Sequence, residues 1–171
     1  IYVSGSILND EIYHTAHMAF KNVELYNVYG LSEAAPRVTA QRIDCCKSNS
    51  VGKPIRGVKL KIVDMAGHKV RRNKCGIIHV LSPGIFTGYV CGHAKHQSLC
   101  GKEWLNTGDV GYIDRYGELH IVSRVDDMII IGAHKIYPND VEKVIYANTN
   151  VKDCVVTMLH HCKEETLCCL Y

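Results

Sequence analysis

"NTGDVGYIDRYGELHIVSR", residues 106–124, carries the reading that decides the fold. Two β-forming runs, "GYID" and "ELHIVS", flank the loop Arg115-Tyr116-Gly117, so the chain is predicted to fold back on itself as a tight antiparallel hairpin. A carboxylate, Asp109, and a guanidinium, Arg124, bracket that hairpin. They have two readings. As a cross-strand ion pair they contribute about 0–1 kcal/mol if exposed. As a clamp they hold a ligand: a carboxylate accepts hydrogen bonds from both hydroxyls of a vicinal diol, and an arginine donates to ribose oxygens or to a phosphate. The residues alone leave both open.

Outward from the hairpin, residues 57–122 keep the same texture of short strands and turns: "VKLKIVD", Met65-Ala66-Gly67-His68, "GIIHVLS", "GYID" and "ELHIVS". Within that β region, "HAKHQSLCGKE" (93–103) is polar and aperiodic and is predicted as an exposed loop. Upstream, "NDEIYHTAHMAFKN" (9–22) sets Ile12, Ala16 and Phe20 at four-residue steps near one face of a helix. "NVELYNVYG" (22–30) is a strand that ends at Gly30. After Asp126 the texture changes: "DMIII", Gly132, "HKIY", then Pro138 opening a helix through Val141, Val144 and Ile145, and a strand in "DCVVTML". This β–β–α–β order is a small α+β unit distinct from what precedes it, and a boundary is placed at 125/126.

Composition narrows the function classes. The chain has 171 residues, 47% hydrophobic and 22% charged, enough to bury a core and too apolar for disorder. Its net charge of +3 comes from scattered residues with no basic run, so nucleic acid is not expected as a partner. No apolar run approaches the roughly 20 residues of a membrane span, and a cytoplasmic protein is expected. Nine cysteines include no C-x-x-C pair and are read as reduced, mostly structural thiols. His160-His161-Cys162 is read as a polar loop between strands rather than a metal set. The chain begins on Ile1-Tyr2-Val3 and stops on Thr166–Tyr171, both apolar strands, and so reads as an excised piece.

Two further clusters carry chemistry. In "YNVYGLSEA" (26–34), Tyr29 offers a flat face for a purine, Ser32 a hydroxyl for a phosphate and Glu33 a hard oxygen for Mg2+. The bland alternative is that Tyr29-Gly30 ends a strand and Ser32 caps the next turn. In "SRVDDMIIIGAHKIYPNDVE" (123–142), paired acids mark the boundary, and Gly132 inside an apolar strand suggests close approach of a ligand or backbone.

In this order and spacing the three clusters resemble the acyl-adenylate-forming superfamily of acyl-CoA synthetases, peptide-synthetase adenylation domains and firefly luciferase. "YGLSEA" is similar to the family's Y-G-x-[ST]-E motif, "WLNTGDVGYIDRYGELHIVSR" to its T-G-D motif with the following arginine, and "RVDDMIIIGAHKIYPNDVE" to its hinge motif. The resemblance implies an α+β fold: the β-rich end of the large adenylate-forming domain (1–125), then the start of a small, mobile C-terminal lid domain (126–171). It implies that Tyr29 stacks on adenine beside Gly30, that Ser32 contacts the α-phosphate and that Glu33 binds Mg2+. It further implies that Asp109 holds the ribose hydroxyls and that Arg124 contacts ribose and phosphate. The turn containing Gly5 and Ser6 would contact adenine, Asp126 would be the hinge, and Gly132 would line the pantetheine tunnel. Val28, Pro36 and Arg37 fall where the family shapes its acyl pocket.

The implied substrates are ATP (leaving as AMP), a carboxylic acid, and CoA, with carrier-protein pantetheine as the alternative thiol and a non-catalytic AMP-binding relative as a further alternative. "IYPNDVE" is closer to the acyl-CoA synthetases. The family's phosphate loop is expected upstream of Ile1 and its catalytic lysine beyond Tyr171, so this piece alone is expected to bind nucleotide poorly and not to turn over. The lysine common two residues before the hinge glycine is replaced by Ile130.

Overall fold

The computed structural model describes residues 1–5, 8, 10–43, 50–89, 103–131, 134–148, 151, 153–161 and 164–170. The chain divides into two compact units, one of Ile1–Thr107 with Gly111–Ile121, the other of Gly108–Val110 with Val122–Tyr171.

The first unit holds β1 (Tyr2–Val3), α1 (Asp10–Ala19), β2 (Tyr26–Tyr29), β3 (Thr39–Arg42), β4 (Ser50–Pro54), β5 (Lys59–Val63) and β6 (Gly76–Leu81). The hairpin strands β7 (Leu105–Ile113) and β8 (Leu119–Arg124) contribute residues to both units. These strands form one sheet in the order β1-β2-β3-β4-β8-β7-β6-β5. β1 pairs with β2 in parallel, and β2 with β3, β3 with β4, β4 with β8 and β5 with β6 are antiparallel.

Alternation drives the sheet: in "GIIHVL", Ile78 and Val80 are fully buried while Ile77, His79 and Leu81 are only partly so. Ile78 and Val80 join Ala34, Val38, Ile62 and Leu119 in the core, and each large aliphatic side chain buried there stabilises by roughly 1.5–3 kcal/mol. Tyr29 and Leu31 pack against this cluster, which ties the "YGLSEA" segment to the core of the unit.

Two hairpin turns are built by the same five-residue device. In "DMAGH", Asp64 Oδ1 accepts from the N–H groups of Ala66 and His68, both at 2.9 Å. In "DRYGE", Asp114 Oδ1 accepts from Tyr116 N at 2.8 Å and Glu118 N at 2.9 Å. Burial acts to raise the Asp114 carboxyl, but the Glu118 N–H, His120 and the Tyr116 N–H outweigh it and hold the group below the usual carboxylate range. His120 Nε2 lies 3.1 Å from Asp114 Oδ2, and its ring stacks on Tyr112 with centroids 4.7 Å apart.

The second unit follows the predicted order. β9 (Ile129–Ile131) and β10 (His134–Ile136) form an antiparallel pair, α2 (Pro138–Asn148) begins at the predicted proline, and β11 (Val155–His161) pairs antiparallel with β12 (Glu164–Leu170). α2 is fastened to β11 and its approach by Val156 N donating to Glu142 Oε1 and Cys154 N donating to the Tyr146 hydroxyl, both at 2.9 Å.

Some local expectations differ. Ile12 and Phe20 are about half exposed, whereas Tyr13, whose ring stacks with His17, is buried. Val144 is likewise exposed on α2. His160 and His161 belong to β11 rather than to a loop, and Cys162 lies outside the described residues. Among the described residues, Cys75, Cys154, Cys168 and Cys169 are in no disulfide. Apart from Glu103, the predicted loop at 93–103 also lies outside the described residues. No described helix is long and apolar enough to cross a membrane.

Candidate active site

In the first unit β2 delivers Tyr29 half-buried, and the chain then turns through a single 3-10 turn, Ser32–Ala34. Gly30 is required by close approach: a Cβ there would overlap the Pro36 carbonyl oxygen and sit 3.0 Å from Arg37 Cα. Val38 N donates to Tyr29 O at 2.9 Å across the same gap, so residues 36–38 are drawn tightly against the end of β2. Ser32 is not the cap of the turn. Leu31 occupies the N-cap position without a side-chain cap bond, and Ser32 is exposed one residue later. Its hydroxyl is thus not spent on capping.

Glu33 is half-buried, and its Oε1 accepts a hydrogen bond from the Tyr89 hydroxyl at 2.6 Å. A carboxylate offers about four lone-pair acceptor sites, and the Tyr89 hydroxyl takes one of them. Mg2+ is characteristically held by one or two carboxylates together with phosphates and water, and a glutamate whose carboxylate is held by a phenol hydroxyl fits that demand. Gly5 is exposed with φ of 98°, and Ser6 lies outside the described residues. Val28 is buried in β2, whereas Pro36 and Arg37 are exposed. The Arg37 guanidinium lies 4.1 Å over the Tyr2 ring, a cation–π contact that orients a side chain otherwise expected to be merely solvated.

In the second unit Asp109 and Arg124 come together. Arg124 Nη1 is 3.7 Å from Asp109 Oδ1, with the carboxylate side chain 13% exposed and the guanidinium 58% exposed. The separation satisfies an ion pair but exceeds a direct N–H···O hydrogen bond. Gly108 adopts φ of 74°, and a Cβ there would lie 3.2 Å from Arg124 Nη2. Glycine therefore lets the guanidinium lie along the backbone, and Val125 N, which donates to Gly108 O at 2.7 Å, pins the strand ends that carry both residues.

Asp126 follows in an exposed turn closed by Met128 N donating to Val125 O. It lines an open cavity of about 640 Å3 with Met128, Ile129, Asn139, Glu142 and Val156. Gly132 lies outside the described residues. Tyr29, Gly30, Ser32, Glu33 and Gly5 thus belong to the first unit, and Asp109, Arg124 and Asp126 to the second.

Sequence reasoning missed Tyr89, which is 56 residues from its partner and lies in none of the three motifs. It also gave no sign of the Asp114, Glu118 and His120 cluster, whose ligand atoms lie within 4.8 Å of one another. There Asp114 already serves the hairpin turn and Gln41 reaches Glu118 at 3.4 Å.

Residues 1–90 match the family model described as AMP-binding enzyme. A 2-succinylbenzoate–CoA ligase of Enterococcus faecalis is 32% identical over 154 residues, covering 89% of this chain and 31% of that protein. The 4-coumarate–CoA ligase 1 of Glycine max is 32% identical over 160 residues, covering 89% of this chain and 54% of that protein. Among solved structures, the O-succinylbenzoate coenzyme A synthetase of Bacillus subtilis in complex with ATP and magnesium ion superposes with a TM-score of 0.79 at 25% identity. That match covers 97% of this chain and 34% of the synthetase. The chain therefore spans about a third to about a half of the length of these relatives.

Proposed function

Because this chain belongs to the AMP-binding enzyme family, we propose that it is part of an ATP-dependent acid–CoA ligase, with residues 1–125 the end of the large nucleotide-binding domain and residues 126–171 the start of a mobile lid. The observation that carries the reading is the family match over residues 1–90, which takes in Tyr29, Gly30, Ser32 and Glu33. CoA is the thiol because both curated relatives named above are CoA ligases.

The reaction has two steps. A substrate carboxylate oxygen attacks the α-phosphorus of ATP, the bond to the β-phosphate oxygen breaks, and pyrophosphate leaves an acyl-adenylate. The CoA sulfur then attacks the acyl carbon, the carbon–oxygen bond to the phosphate breaks, and AMP leaves. In this reading Tyr29 presents its ring to adenine, and the turn at Gly5 and Ser6 lies along the base. Ser32 donates to the α-phosphate, and its lack of a capping duty supports that role. Asp109, largely withdrawn from solvent, accepts from the ribose hydroxyls, while the exposed Arg124 donates to ribose and phosphate. Glu33 holds Mg2+, which when bound neutralises charge on the phosphate oxygens. Asp126, in its exposed turn, is the hinge about which the lid changes position between the two steps, and Gly132 lines the path of the pantetheine arm.

The test is made on the complete protein. With the right carboxylic acid, labelled pyrophosphate is expected to exchange into ATP only when the acid is present, and addition of CoA is expected to give the thioester and AMP. Folded protein that supports neither reaction across a panel of aryl, short-chain and long-chain acids would overturn the proposal. Exchange without a CoA thioester would overturn the choice of thiol.

A further inference from the structure

We propose that Tyr89 is a positioning residue for Glu33: its phenol hydroxyl holds the carboxylate in the orientation in which Glu33 takes a divalent cation. The inference rests on the reading of Glu33 as the cation ligand.

The geometry is that of a clasp. Tyr89 donates to Glu33 Oε1 at 2.6 Å, within the range of an O–H···O bond to an ionised acceptor. Three residues earlier, Phe86 N donates to the Glu33 carbonyl oxygen at 3.0 Å, so one short segment grips the glutamate by its backbone and its side chain. The rings of Phe86 and Tyr89 meet edge to face with centroids 4.8 Å apart, and Phe86 itself packs against the core cluster. The hydroxyl is therefore anchored to the rigid interior through Phe86. A glutamate has three rotatable side-chain bonds, and a cation that must order them binds more weakly than one that finds them already fixed. Tyr89 is itself 50% exposed, so the hydroxyl reaches Glu33 from a ring that is only partly buried. The arrangement is that of an outer-shell partner orienting a metal ligand.

Tyr89→Phe in the complete protein keeps the ring and its contact with Phe86 and removes only the hydroxyl. The primary readout is binding of α,β-methylene-ATP by calorimetry, once in EDTA and once in saturating Mg2+. The ratio of the two dissociation constants measures how much the cation tightens nucleotide binding. In Tyr89→Phe this ratio is expected to fall roughly tenfold with the EDTA value unchanged. The Mg2+ concentration for half-maximal pyrophosphate exchange should rise by a similar factor, and kcat at saturating Mg2+ should stay within about twofold of the parent.

Glu33→Gln, run in parallel, is expected to abolish the Mg2+-dependent tightening, and Phe86→Leu, which loosens the ring that anchors the hydroxyl, to lower it by less than Tyr89→Phe does. If Glu33→Gln loses the tightening and Tyr89→Phe keeps it, the positioning role is wrong. An equal loss with and without Mg2+ in Tyr89→Phe makes the residue structural and also overturns the inference. If neither variant changes the ratio, it is the reading of Glu33 that fails, and the role of Tyr89 falls with it.

Discussion

Asp109→Asn is expected to lower acid-dependent pyrophosphate exchange in the complete protein by roughly 100-fold or more while leaving the thermal midpoint within a few degrees of the parent. The two halves of this expectation come from different features of one residue. Asp109 and Arg124 stand 3.7 Å apart, and the guanidinium is 58% exposed, so the pair contributes at most about 0–1 kcal/mol to folding. A carboxylate that accepts from both ribose hydroxyls makes two charge-assisted hydrogen bonds, each contributing roughly 1.5–3 kcal/mol. The amide of asparagine keeps the shape but turns one acceptor into a donor facing the diol. A loss near 3 kcal/mol is about two powers of ten in rate. Exchange that survives at parental rates would return the pair to its bland reading as a strand staple.

Gly30→Ala is expected to cost more than about 3 kcal/mol of stability in the first unit, measured as a lowered urea midpoint at unchanged slope. The reason is steric. A Cβ at this position would overlap the Pro36 carbonyl oxygen and lie 2.6 Å from Pro36 C and 3.0 Å from Arg37 Cα. All three atoms are backbone, so no rotamer change relieves the overlap. The strand pairing of Tyr29 with Thr39 and the bond from Val38 N to Tyr29 O hold the two segments at this spacing. Relaxation would have to open the start of β3 and draw Val38, fully buried, out of the core. Ser32→Ala, two residues on and exposed, should leave the midpoint unchanged, which separates the packing demand at Gly30 from any general fragility of the motif.

What the residues revealed in advance was mainly what is encoded locally. The turns at Met65–His68 and Arg115–Gly117 were legible because Gly67 and Gly117 punctuate β-forming runs, whereas the use of Asp64 and Asp114 to collect two N–H groups each is visible only in the fold. Pro138 marked the start of α2 because its fixed φ suits a first helical turn. Long-range relations were illegible. No local pattern places β4 beside β8, or makes β1 a parallel neighbour of β2.

Helix faces were only partly readable. Four-residue spacing selected Ile12, Ala16 and Phe20, but the unit instead buries Tyr13, a ring braced by His14 and His17. The roles proposed for Tyr29, Ser32, Glu33, Asp109 and Arg124 came from the family resemblance of three motifs, whereas the hydroxyl that bonds Glu33 comes from 56 residues away and carries no local signal. Ser32 is instructive in another way: serine before a short turn suggests a cap, yet the cap position belongs to Leu31.

The central proposal is that two groups of residues, Tyr29 with Ser32 and Glu33, and Asp109 with Arg124, bind AMP. A crystal structure of the complete protein with AMP tests it most directly. The account predicts adenine against the Tyr29 ring, the α-phosphate within hydrogen-bond reach of Ser32, and both ribose hydroxyls about 2.5–3.0 Å from the Asp109 carboxylate. AMP held at any other place, or contacting only one of the two groups while the other faces solvent, would contradict it.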